Sequence, residues 1–309
     1  MAHRPGFIGP LAEAVHDLAG IRARNDAFAK IELIELISTR PHAAVFKGRL
    51  GTQCVAVKVN LEAPRAAAMA QAAELRIVRG WMNDGPFRVP VLRAAWPEDG
   101  VTVADWIDGT RFDHVLGAAS SADRRQRMAE AAGFLWTYSA PRREVSEFGG
   151  RYWLKRARRF SEEVAGGSAG LAAQALEELE HRHGDLIGSP VLKARSHGDF
   201  SAINLIAGDD ALWGVDIQNA HALPLAKDAA RFLVFAETNV PRRFGGRWLG
   251  MASEDARPFR TELKRLGQAE FLEFFLGVEL LDKLSRNHGT DPKSNRVRAA
   301  LEMWCASDR

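Results

Sequence analysis

The chain has 309 residues, 46% of them hydrophobic and 26% charged, the balance of a globular protein with a sizeable core and not of a disordered one. Its net charge of +3, with no dense basic run beyond Lys155-Arg156-Ala157-Arg158-Arg159, argues against a nucleic-acid partner, and that short cluster reads as the solvated face of a helix. No apolar run is long enough to cross a bilayer, residues 1–10 lack the apolar segment of a signal peptide, and Cys54 and Cys305 match no metal spacing, so a reducing, cytoplasmic setting is expected.

In chain order, Leu11, Ala14, Val15 and Leu18 recur at helical spacing, so residues 9–29 read as an N-terminal helix that Gly20 could end. The period then changes. Ile31, Leu33, Ile34, Leu36 and Ile37 form an apolar run broken at Ser38-Thr39-Arg40-Pro41-His42. Ala43–Leu50 and Cys54–Asn60 follow around a Gly51-Thr52 turn, giving a three-strand meander. The last strand, C-V-A-V-K-V-N, sets Lys58 among apolar neighbours, where its ammonium must find a partner or reach water. Residues 63–80 are an Ala-rich helix opened by Pro64, with Ala66, Met69, Ala70, Ala73, Ile77 and Val78 as its apolar face. Glu74 lies beside that face. The residues three and four positions on are Ile77 and Val78, so its partner is expected elsewhere in the fold.

Val89–Trp96 and Val101–Ile107 read as two further strands around Pro97-Glu98-Asp99-Gly100. From Thr110 the pattern is helical. Ala129, Ala132, Gly133, Leu135 and Trp136 mark a buried helix, and Arg151–Val164 an aromatic and basic one. Gly166–Gly170 reads as a flexible loop and Leu171–His181 as a helix with Leu176 and Leu179 inside. His181 and His183 form an H-x-H pair with no third ligand nearby, which favours a surface helix end over a metal site.

The most informative stretch is Ser196–Ala220, S-H-G-D-F-S-A-I-N-L-I-A-G-D-D-A-L-W-G-V-D-I-Q-N-A. Gly198 opens a turn carrying Asp199. Ile203, Leu205 and Ile206 read as a strand, Gly208-Asp209-Asp210 as a hairpin turn, and Leu212–Val215 as the returning strand. Such a hairpin would bring Asn204 and Asp216 to the same end, with Asp199 just outside it. Oxygen donors of this kind suit Mg²⁺ and leave a third group to orient a hydroxyl. Residues 256–305 read as two or more amphipathic helices.

This stretch resembles the catalytic and metal segment of the aminoglycoside phosphotransferase and choline kinase superfamily, which shares the protein-kinase fold. The family pattern H-G-D-x-x-x-x-N, followed by a strand ending in Asp, stands here as His197-Gly198-Asp199, Asn204 and Asp216. The resemblance implies an α+β, two-lobe protein-kinase-like fold: an N-terminal helical extension at residues 1–29, a small antiparallel-sheet lobe at 30–105, and a mostly helical lobe at 106–309 carrying the catalytic hairpin. It implies ATP and Mg²⁺ as cofactors, with Asn204 and Asp216 on the metal and Asp199 orienting the acceptor hydroxyl. Lys58, in a V-A-V-K strand, would meet the α- and β-phosphates, with Glu74 as its partner and Glu62 as second choice. Backbone groups of Asp105 and Ile107 would meet the adenine edge. Ser38 and Thr39 would donate hydroxyl and backbone hydrogen bonds to phosphates, although this loop has no glycine and Pro41 removes a donor. His197 and Asp228 would support the catalytic turn.

The activity implied is transfer of the γ-phosphate to a hydroxyl of a small molecule: a sugar, amino sugar or amino alcohol. Arg257, Arg260, Lys264 and Arg265 mix with Glu262, Glu270 and Glu273, so the tail offers no acidic field for a polycationic antibiotic. Two other readings remain open. One is a nucleotide-binding pseudokinase or regulatory protein without transfer. The other is a hydrolase using His197, Asp199 and Ser201, although H-G-D-F-S is not a nucleophile elbow.

Overall fold

A computed structural model describes residues 18–195, 197–217, 221–242, 245–287 and 289–307; Leu11, Ala14 and Val15 of the expected first helix lie outside them, as do Ser196 and Gln218-Asn219-Ala220. The chain forms two units. One contains the residues up to Gly109 and the stretch beginning at Gly208; the other contains Thr110–Ala207 and the chain from His221 onward.

The first unit begins with a helix at residues 18–24 (α1), which runs through Gly20 instead of ending there, and a single turn Asp26–Ala29 (α2) capped by Asn25. The meander follows: β1 (Ile31–Arg40), β2 (Ala43–Leu50) and β3 (Gln53–Asn60). After helix α3 (Pro64–Val78) and the short β4 (Phe87–Arg88) come β5 (Leu92–Trp96) and β6 (Val101–Asp105). The five long strands form an antiparallel sheet ordered β1-β2-β3-β6-β5.

Strand alternation gives this sheet two different faces. Val55, Val57 and Val59 bury with Val101, Val103 and, from the leading helices, Leu18, Ile21 and Phe28. Lys58 and Asn60 fall on the opposite face. Thr102, which sits across the ladder from Lys58, donates there from Oγ1 to Gln71 Oε1 of α3 at 2.7 Å. This explains how a lysine is buried in a valine-rich strand: alternate positions lie on the face where α3 presents the buried polar side chains of Gln71 and Glu74.

That polar contact also corrects the expected face of α3. Met69 and Ile77 are exposed, at 51% and 46%, while Ala68, Gln71, Ala72, Glu74, Leu75 and Val78 are buried. Alanines ring this helix, so apolar spacing does not choose a side. The sheet chooses it, by the polar face it presents to Gln71 and Glu74.

The β1–β2 connection differs as well. Ser38, Thr39 and Arg40 are strand residues paired with Val45, Ala44 and Ala43, so the turn is only Pro41-His42. The expected open loop at Ser38 and Thr39 is therefore replaced by strand: both residues pair with β2, and because β1 is the edge strand, alternate N–H groups along it still face outward.

In the second unit β7 (Thr110–Arg111) leads into α4 (Phe112–Ala118) and α5 (Ser121–Ser139). Then come β8 (Glu144–Glu147), α6 (Arg151–Glu163), α7 (Ala169–Leu186), β9 (Pro190–Arg195) and β10 (Leu205–Ala207). The chain returns to the first unit for β11 (Leu212–Gly214), which pairs parallel with β4. Back in the second unit, β12 (Ala222–Pro224) precedes α8 (Leu225–Asn239), α9 (Ser253–Arg265), α10 (Ala269–Arg286) and α11 (Pro292–Cys305). The expected Gly166–Gly170 loop is a 3₁₀ turn, Gly166–Ser168, running into α7 at Ala169. A three-stranded sheet ordered β12-β9-β8, unforeseen in the helical region, carries the chain into Gly198.

α10 is the spine of this unit, packed against α6, α7, α8 and α11. It meets α11 closely at Gly277, where a Cβ would lie 2.2 Å from the Trp304 ring, and Trp304 Nε1 donates to the Glu273 carbonyl at 2.9 Å. We expect Gly277→Ala to cost about 1–3 kcal/mol by overpacking, read as a lower urea midpoint. An unchanged midpoint would mean that the two helices are not held this close.

No helix among the described residues is long and apolar enough to cross a membrane. Both cysteines are free; Cys54 is exposed, and burial, with Glu178 next, pushes the Cys305 thiol up to about 11. Because the thiolate is the reactive form, alkylation at mildly alkaline pH should modify Cys54 quickly and Cys305 only after denaturation. Peptide mass spectrometry would show it, and equal rates would contradict the burial of Cys305.

Candidate active site

In the second unit β9 delivers the chain to Gly198, whose φ of +89° turns it sharply. The next two residues diverge. Phe200 is fully buried, its ring 6.1 Å from Phe134 and 5.0 Å from Phe232, and so anchors the turn in the core. Asp199 keeps its carboxylate partly exposed. Its Oδ1 accepts from both Nε and Nη2 of Arg231 at 2.7 Å, and Arg231 Nη1 also donates to Glu279 Oε2 at 3.3 Å. Burial pushes the Asp199 carboxyl up, but the charge and hydrogen bonds of Arg231, helped by His197 and Lys227, outweigh it and hold the group below its ordinary value. The Arg231 guanidinium is raised in turn, Glu279 and Asp199 together outweighing its own burial.

Asn204 closes a helical turn, Ala202–Asn204, and is buried. Its Nδ2 donates to the Asp199 main-chain carbonyl at 2.7 Å, which leaves Oδ1 as its oxygen donor. Asp228, in the first turn of α8, is buried and accepts the His197 N–H at 3.2 Å through Oδ2. The His197 ring is fully buried, 6.0 Å from Tyr138 and 5.9 Å from Phe200, and the Ser201 hydroxyl is buried too, directed to the Asp199 carbonyl at 3.4 Å. A hydrolase reading needs both groups to meet substrate, and their burial weighs against it.

In the first unit the Lys58 ammonium is ion-paired with Asp216 Oδ1. Lys58 is 7% exposed, so this carboxylate meets the need of a nearly dehydrated charge. Asp216 lies at φ +59°, a left-handed conformation that Asp tolerates better than most residues. β11, which ends two residues before it, is fixed by β4 and its neighbour Pro86: Leu212 N–H donates to the Pro86 carbonyl at 2.9 Å, and Arg88 pairs with Asp210 at 2.8 Å. Glu74 is buried on the side of α3 turned toward the sheet. Thr39 Oγ1 is buried with no hydrogen-bond partner among the described residues. The Asp105 carboxylate is held by Arg93 at 2.5 and 3.0 Å, and its N–H donates to the Val91 carbonyl at 2.9 Å. For an adenine edge this leaves the Asp105 carbonyl and the peptide of Ile107, just past the strand end.

The donors fit the groups the fold implies. Among the described residues no cluster of three or more His, Cys, Asp and Glu side chains could enclose a metal ion. Mg²⁺ does not need one, since one or two protein oxygens suffice when phosphates and water complete its shell; Asn204 Oδ1 in the second unit and the Asp216 carboxylate in the first are each, taken separately, hard oxygen donors. The orphaned Thr39 hydroxyl and the Lys58 ammonium suit phosphate oxygens. Arg231 and Glu279 were not singled out from the sequence. The one available signal was spacing, since Arg231 follows Asp228 by three positions and shares its face of α8.

No family model matches the chain, and no curated protein matches it in sequence. Solved structures do match in fold. The crystal structure of aminoglycoside phosphotransferase APH(4)-Ia superposes with a TM-score of 0.61 at 15% identity, covering 95% of this chain and 98% of that one. A glucosamine kinase matches at TM-score 0.54 and 15% identity over 94% of this chain and 82% of its own. The choline kinase LicA from Streptococcus pneumoniae matches at 0.55 and 13% identity over 94% of this chain and 100% of its own. A thermostable APH(4)-Ia mutant has been solved in a ternary complex with AMP-PNP and hygromycin B. The chain thus has the α+β, protein-kinase-like fold of the aminoglycoside phosphotransferases and choline kinases.

Proposed function

We propose that the chain is an ATP- and Mg²⁺-dependent phosphotransferase that moves the γ-phosphate to a hydroxyl of a small molecule. The observation that carries this reading is the Asp199 carboxylate, with Oδ1 locked twice by Arg231 and its main-chain carbonyl tied to Asn204. Oδ2 is left to accept a hydrogen bond from an alcohol. A carboxylate held below its ordinary pKa is a poor base, but phosphoryl transfer asks for little: the hydroxyl proton leaves late, and positioning dominates. Asp199 orients the acceptor, Lys58 holds phosphate oxygens with Glu74 as its brace, and Asn204 and Asp216 hold Mg²⁺. A bound Mg²⁺ supplies neutralisation of the phosphate charge. Asp228 and His197 support the turn that carries Asp199. The two free thiols suit a reducing, cytoplasmic compartment.

The fold shared with an aminoglycoside phosphotransferase solved in complex with hygromycin B, a glucosamine kinase and a choline kinase supports a small-molecule acceptor. The glycine-free Pro41-His42 turn favours a second reading, a nucleotide binder without transfer. Incubation with γ-labelled ATP, Mg²⁺ and a panel of sugars, amino sugars and amino alcohols separates the two. Label on an acceptor supports transfer, and ATP binding with no label moved to any acceptor supports the binder.

A further inference from the structure

The second unit holds a cavity of about 520 Å³ between the first turn of α6, the end of α7 and strands β9 and β12. It has the volume of a small-molecule site but is an open groove and not an enclosed pocket. Its charged lining residues are Arg151 and Lys193, with no carboxylate; its apolar wall includes Tyr152, Trp153, Ile187 and Leu223.

The two cations are unmatched, as Lys155 on α6 and Arg195 on β9 also are, although other cations nearby are paired. Arg158 pairs with Glu180 at 2.7 Å, Arg159 with Glu163 at 3.5 Å and Arg182 with Glu178 at 2.7 Å. Neither the Arg151 guanidinium nor the Lys193 ammonium has an ion-pair or hydrogen-bond partner among the described residues. Glu144 lies across the ladder from Lys193 but neither pairs with it nor lines the cavity.

The aromatic wall is held in place. Tyr152 is 60% exposed, yet its ring meets Trp153 edge-on at 5.0 Å and its hydroxyl accepts from Arg156 Nη1 at 3.2 Å. Gly150 is among the lining residues; its φ is +63°, and a Cβ there would lie 2.2 Å from the His183 ring.

We propose that this cavity binds a small aromatic carboxylate, with its anionic group on Lys193 and Arg151 and its ring against Tyr152, Trp153 and Leu223. β9 runs from the cavity toward the Asp199 turn, which places the ligand to act as an effector of that turn. The effector role rests on the phosphotransferase reading; the binding site does not.

The test uses the full chain and three probes that share a ring and a phenol but differ in charge: 4-hydroxyphenylacetate, tyrosol and tyramine. Binding is read by calorimetry. The carboxylate should bind about tenfold tighter than the other two, the size of one charge-assisted contact. Lys193→Met should erase that preference and Lys193→Glu should turn it toward tyramine, with unfolding midpoints near wild type. Equal affinities for the three probes, no saturable binding of the carboxylate at millimolar concentration, or a preference that survives Lys193→Met combined with Arg151→Met, would each overturn the proposal. Altered ADP release on saturation with the carboxylate identifies it as an effector; unchanged release overturns that role. If no acceptor of any kind is labelled, the phosphotransferase reading fails while the binding result still decides the cavity.

Discussion

Asp199→Asn should leave MgATP affinity within about twofold of wild type and cut phosphoryl transfer about 10³-fold, the range of a lost acid–base group. The amide keeps the shape of the carboxylate and can still accept one bond from Arg231. It loses the negative charge that orients the acceptor hydroxyl and balances the guanidinium. Arg231 retains Glu279 at 3.3 Å, so a stability loss of about 1 kcal/mol is expected for this partly exposed pair. Single-turnover ADP formation gives the rate, and equilibrium binding of MgATP gives the affinity. Equal loss of both would remove the division of roles, and a retained rate would remove Asp199 from the chemistry. The pH dependence has a defined sign. Arg231 outweighs burial and depresses the Asp199 carboxyl, so the pair's stabilisation is fully present above the ordinary carboxylate pKa of about 4 and is lost as pH falls through the depressed folded value. The acid limb of the rate from this group should lie below about pH 4 as well, and Arg231→Leu should move it upward.

The parts of this architecture that were readable in the sequence are those with local causes. The Gly51-Thr52 turn between β2 and β3, the V-A-V-K strand and the spacing of Asp199 and Asn204 each depend on residues close in the chain. What was hidden depends on partners far away. The orientation of α3 follows from the polar face of the sheet, across which Thr102 meets Gln71. Pro41-His42 carries none of the Asn-Gly or Asp-Gly signals of a two-residue hairpin turn, so a tight β1–β2 connection looked like a loop. β8, β9 and β12 are four, six and three residues long, too short for an alternation to show, and pair across the length of the second unit. Arg231 bonds to Asp199 from 32 positions away, and nothing local announces such a contact. Phe200 was within the motif, but its role as the core anchor of the turn needed Phe134 and Phe232 beside it.

Asp216→Asn should abolish Mg²⁺-dependent turnover, a loss of at least about 10²-fold, while the protein stays folded. Asn is chosen over Ala for a conformational reason. Position 216 sits at φ +59°, where a short polar side chain is tolerated and a methyl-bearing Ala is strained, so Ala would mix a folding defect with the chemical one. The amide oxygen can still accept a hydrogen bond from the Lys58 ammonium, so that buried cation is not stranded, but its charge is no longer neutralised; we expect a stability cost of about 1–3 kcal/mol. The Asp216 carboxylate holds the Lys58 ammonium in this structure; on the proposed reading it would also be the carboxylate that holds Mg²⁺, with Lys58 on phosphate. A neutral amide weakens both states, so raising Mg²⁺ should not restore the rate. Lys58→Met is the complementary variant: it leaves the metal carboxylate intact and removes the phosphate contact, so it should weaken nucleotide binding while Mg²⁺ dependence persists. Titrating Mg²⁺ against ADP release in the two variants separates the roles. Normal turnover in Asp216→Asn, or the same Mg²⁺ response in both variants, would take Asp216 out of the metal site.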